Sequence, residues 1–117
     1  MTPEGLKTFQ SLKCLKVKVY RGLHLNADNM DAGIVDQWLN REDTSPADLE
    51  RLLNHVHIYD YFPDVQDEFE LQRLANEVAG EWGITLSGLN PHYRVLKYEG
   101  YGPEVTFYLD RGMSGVA

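Results

Sequence analysis

The hydrophobic period of this chain is two near both ends and follows a helical repeat of about 3.6 in the middle, a switch that confines it to a mixed α+β architecture. From Cys14 to Arg21, Leu15, Val17 and Val19 alternate with Lys16, Lys18 and Tyr20, which predicts a half-buried strand. Tyr93 to Glu99 and Glu104 to Asp110 alternate in the same way on either side of Gly100, Gly102 and Pro103, the composition of a hairpin loop. The first strand is expected to join that hairpin.

The middle of the chain carries three helical stripes. Asp28 is placed to cap a helix from about Asn29 to Asn40, with Met30, Ile34, Val35, Trp38 and Leu39 on one side. Ser45, Pro46 and Asp48 supply a cap, a first-turn proline and an acidic capping partner for a second helix, whose buried stripe reads Leu49, Leu52, Leu53 and Val56. Asn54 to Phe62, ahead of Pro63, is rich in aromatic and branched residues and reads as extended. Asp64 or Asp67 then caps a third helix with Leu71, Leu74, Ala75, Val78 and Trp82 inward, stopped by Gly83 ahead of a turn-rich connection from Ile84 to Pro91. The expected fold is three helices packed on a small antiparallel sheet with a C-terminal β-hairpin. Residues 1–117 read as one domain, and a composition 43% apolar and 25% charged supports a core that needs neither disulfide nor metal.

Charge and cysteine usage narrow the function classes. Fourteen acids lie between Asp28 and Glu81 against Arg41, Arg51 and Arg73 alone, so the helical middle presents an acidic face that repels phosphate backbones and argues against direct nucleic-acid binding. Cys14 is the only cysteine, Met1 to Phe9 lacks the charged and apolar parts of a leader, and no apolar run is long enough to span a bilayer. These features predict a cytoplasmic location and no membrane association. Cys14 itself, leading an apolar strand, reads as a small buried hydrophobe.

The chemistry-bearing positions are few. His55 and His57 are two residues apart, a spacing that on a strand projects both imidazoles from one face and can chelate a zinc-class ion; on a helix they would diverge. Further ligands would have to come from His24, His92, Cys14 or a distant carboxylate. Asp60, Asp64 and Asp67, with Glu68 and Glu70, form an acidic cluster that suggests calcium, although such acids also complement a helix N-terminus. A calcium loop starting at Asn26 fails, because its fifth, sixth and twelfth positions are Met30, Asp31 and Gln37. No serine lies in a nucleophile elbow and no phosphate-cradling glycine motif occurs, so hydrolase and phosphate chemistry have no support, and a small enzyme using His55, His57 and Arg21 ranks behind the non-enzymatic readings.

Tyr98, Tyr101 and Tyr108 gather in the hairpin and are candidate contacts for a protein partner. Arg21, in V-Y-R-G, is a candidate anion or partner contact with no visible pairing residue. The leading expectation is a non-enzymatic accessory or protein-interaction domain that uses its acidic helical face and needs no cofactor. The alternative is a calcium- or zinc-binding protein using the Asp60 to Glu70 cluster or the His55 and His57 pair.

Overall fold

The computed structural model describes residues 2–41, 43–100 and 102–111. Its elements run α1 (Pro3–Lys13), β1 (Val17–Tyr20), β2 (Leu23–Asn26), α2 (Ala32–Leu39), α3 (Pro46–Asn54), β3 (Val56–His57), α4 (Ile58–Tyr61), α5 (Glu68–Leu89), β4 (Tyr93–Gly100) and β5 (Gly102–Leu109). The architecture is α+β, and β4 and β5 form the expected C-terminal hairpin. All three expected helices are present, as α2, α3 and α5, accompanied by α1 and by the single turn α4.

There are two antiparallel sheets among the described residues, and the first strand does not join the hairpin. Instead β1 pairs with β2, while β5 lies between β3 and β4 in a separate three-stranded sheet. The cause is local. Arg21 and Gly22 both have positive φ, 51° and 83°, so they form a two-residue loop whose twist returns the chain directly onto β1. A non-glycine residue in that conformation costs on the order of 1–2 kcal/mol. Here the arginine side chain is carried to Asp36, with Nη1 donating to Oδ1 at 2.9 Å. Arg21 is therefore paired, contrary to the sequence reading. The alternation of β1 is also only partly used: Leu15 is buried, but Val19 is 57% exposed, because it pairs with His24 on the face away from the buried Leu23 and Leu25.

The helices differ from expectation in instructive ways. Helix α1 has a complete set of start and stop signals: Thr2 Oγ1 accepts from Gly5 N at 3.0 Å, Pro3 opens the first turn and Lys13 lies in the last. Its Phe9 is buried edge-on against Phe62, and Trp82 Nε1 donates to Leu12 O at 2.8 Å, fixing α1 to α5. Cys14 caps this helix and is exposed, not buried. Helix α2 begins after Asp31, whose Oδ1 accepts from Ile34 N at 3.1 Å, so Asp31 and not Asp28 is its cap. Helix α5 continues through Gly83 to Leu89. Trp82 and Leu86 prolong its buried stripe past the glycine, and that burial outweighs the roughly 1 kcal/mol propensity cost. The stop comes at Asn90 and Pro91. No helix among the described residues is long and apolar enough to cross a membrane.

The main core gathers α1, α5 and the inner face of the three-stranded sheet, including Trp82, Leu74, Val78, Val105 and Phe107. A second core under β2 holds Leu23, Leu25, Val35 and Leu49. Helix α3 joins the two. It turns Glu50 and Asn54 inward in place of Leu52, which is 41% exposed instead of lying on the buried stripe. Asn54 Oδ1 accepts from Asn26 N at 2.8 Å, and its Nδ2 donates to His24 O at 2.9 Å and Phe107 O at 3.1 Å, so one amide bonds strands of both sheets. Glu50 is 0% exposed and accepts from His24 N at 2.6 Å, Leu109 N at 3.0 Å and both Nη atoms of Arg111 at 2.9 and 2.7 Å.

Candidate metal centre

The outer face of the three-stranded sheet is built by register. Pairing places His57 of β3 opposite Glu104 of β5, and Tyr98 of β4 opposite the same Glu104, so one row across the sheet reads His57, Glu104, Tyr98. His55 is the C-cap of α3, with φ −70° and ψ 145°, so the chain is already extended when it leaves the helix. Two residues on, His57 projects to the same side. The segment expected to be extended from Asn54 to Phe62 is so only at His55 to His57, since Asn54 closes α3 and α4 follows at once. Between the histidines, Val56 turns into the main core beside Val105 and so anchors the pair.

The two imidazoles meet edge to face, with Nε2 to Nε2 at 3.1 Å. Their other nitrogens both face acceptors. His55 Nδ1 lies at hydrogen-bond distance from Leu52 O, and His57 Nδ1 lies 3.5 Å from Glu104 Oε2. The Leu52 carbonyl opposite Nδ1 of His55 favours the tautomer that carries its proton there, which leaves that ring's lone pair on Nε2. At 3.1 Å the two Nε2 atoms are joined by a proton carried on either ring or by a cation between them. At zinc–nitrogen distances of about 2.0–2.1 Å, tetrahedral ligation separates two nitrogens by about 3.3–3.4 Å, close to what is seen. One ligating atom from each of His55, His57 and Glu104 lies within 4.8 Å of the others, and no other group of three such side chains converges among the described residues.

Glu104 is held in place on several sides. Its carboxylate crosses Gly100 so closely that a β-carbon there would push Oε2 aside. The Tyr98 hydroxyl bonds the same carboxylate, and burial first, then the charge and hydrogen bond of Glu104, push the phenol's pKa up. Beside the triad runs an open groove lined in part by Arg51, Leu52, Leu96 and Tyr98 together with His55 and Glu104. Arg51 pairs with Asp48 and places its guanidinium 5.4 Å from the Tyr108 ring centroid.

The other candidate positions are dispersed. Asp60 lies exposed on α4 and Asp64 in the turn after Pro63, while Asp67 Oδ1 caps α5 by accepting from Phe69 N at 2.9 Å. None of the three joins the histidine group. His24 Nδ1 meets the Tyr93 hydroxyl at 2.5 Å, and His92 is exposed at the foot of β4. Arg21 and the Tyr20 hydroxyl share Asp36, whose carboxyl is held below its ordinary range by the hydrogen bond from Arg21 first and from Tyr20 second. Tyr101 lies outside the described residues. Glu104 is the residue sequence reasoning missed: an acid directly after Gly-Pro resembles a turn charge, and only the β3–β5 register brings it to the histidines. Compared with known protein families, with curated proteins and with solved structures, the chain matches none.

Proposed function

We propose that this protein binds a divalent cation of the zinc class through His55 Nε2, His57 Nε2 and the Glu104 carboxylate. The observation that carries the reading is the convergence of one ligating atom from each of His55, His57 and Glu104 within 4.8 Å of one another, with the two Nε2 atoms 3.1 Å apart. Two imidazoles with one carboxylate suit zinc and its neighbours, whereas calcium and magnesium require oxygen ligands throughout. In this reading Glu104 supplies the third ligand, its carboxylate turning from the Nδ1 side of His57 to the ion. Calorimetric titration with zinc tests it: the full chain takes up one equivalent, and His57→Ala and His55→Ala each lose at least tenfold in affinity. The reading fails if the unaltered chain gives no binding heat, or if both variants bind as it does.

A protein-interaction role has its own support in Phe69, 87% exposed on the first turn of α5 between the acids Glu68 and Glu70. An exposed aromatic ring flanked by acids, sharing a groove with Tyr59, suits a contact with a basic partner carrying an apolar pocket. Binding of an apolar fluorescent dye to the native chain falls on Phe69→Ser in this reading; an unchanged signal removes Phe69 as the anchor.

A further inference from the structure

The three ligating groups of the candidate centre leave a tetrahedral ion one position short, and the groove beside them bears on what completes it. The inference rests on the zinc-class reading above. Among the described residues no fourth histidine, cysteine or carboxylate converges on the triad, and the Tyr98 hydroxyl is already engaged by Glu104. The coordination set is therefore of the open kind, in which solvent or a solute takes the last place. Two neutral imidazoles and one carboxylate leave a divalent ion with one net positive charge, so an anion is the favoured occupant.

The walls of the groove define the rest of that occupant. Arg51 adds a positive charge, held in position by Asp48 and by the face of Tyr108, and its side chain remains 45% exposed. Leu52 and Leu96 border the same space, so it offers apolar surface next to the charged end. We propose that the open position takes a small carboxylate with an apolar body, its carboxylate oxygen on the ion and its body against Leu52 and Leu96. Arg51 supplies attraction and orientation, not ligation.

Cobalt(II) in place of zinc reports both levels through its visible absorption, which depends on coordination number and ligand type. The cobalt-loaded full chain is titrated with benzoate, acetate and inorganic phosphate. Benzoate is expected to change the band and to bind more tightly than acetate, because only benzoate has apolar area to bury. Arg51→Gln is expected to weaken benzoate about three- to fivefold, the share of one partly exposed charge. If cobalt binds and no anion moves the band, the fourth position is closed and this inference falls while the cation reading stands. If phosphate acts as strongly as benzoate and Arg51→Gln changes nothing, the groove does not select the ligand. No cobalt band at all overturns both.

Discussion

Arg111→Ala is the most demanding test of how the two sheets are held together. The substitution removes two of the four donors on Glu50, a carboxylate with no exposed surface, and leaves only His24 N and Leu109 N. It also removes the 3.2 Å bond from Arg111 Nη2 to Gly22 O. Stripping one partner from a buried ion pair costs about 3–5 kcal/mol, and the low end applies because Arg111 is 31% exposed and water can reach the vacated place. With unfolding entropy near 2.1 cal/mol/K per residue over 117 residues, about 3 kcal/mol lowers Tm by roughly 12 °C. Calorimetry and urea titration of the single variants and of Glu50→Gln/Arg111→Ala should give a double variant milder than the sum by about 1 kcal/mol or more, since no buried charge is then orphaned. A fall in Tm below about 4 °C, or strict additivity, would show that Glu50 is solvated by something other than Arg111.

Three further outcomes follow from single contacts. Gly100→Ala should leave thermal stability within about 1 kcal/mol, because the colliding atoms are the mobile end of Glu104, yet weaken zinc severalfold in calorimetry; unchanged zinc affinity removes the carboxylate from the centre. Asp36 has a lowered folded-state pKa, so its contribution to stability is present above the ordinary carboxylate value and lost as pH falls through the folded one. Arg21→Ala should accordingly move the Asp36 midpoint upward in an NMR titration, and a midpoint that stays put refutes the assignment of cause. The exposed Cys14 thiol should react with a disulfide reagent in the native chain at nearly the rate of the unfolded one; protection by a large factor contradicts its exposure.

What the sequence made legible were features with a local cause. The stripe of α5 and the alternation of β4 and β5 repeat often enough to declare their period, and Ser45 and Pro46 fix the start of α3 without help from the rest of the chain. Helix α1 was signalled by Thr2, Pro3 and Lys13, but Leu6, Phe9 and Leu12 make a stripe too short to stand out. The β1–β2 hairpin was hidden because an Arg-Gly loop lacks the asparagine or aspartate that usually marks such turns. Glu50, Asn54 and Glu104 look like surface residues in any window, and each is buried only because strands distant in sequence bring it donors. The histidine spacing was visible; the carboxylate that meets it depends on pairing across nearly fifty residues of chain.

Helix α3 has two duties at once, bracing both sheets through Glu50 and Asn54 and delivering His55 at its last turn. In the cation reading these duties are thermodynamically linked. An ion bound by the native chain alone adds about 2.7 kcal/mol at a hundredfold excess over Kd, and whatever factor the ion contributes to the braced state is the factor by which loosening the brace weakens the ion. In that reading added ion slows proteolysis of the native chain, and a chelator returns the rate to that of the ion-free protein.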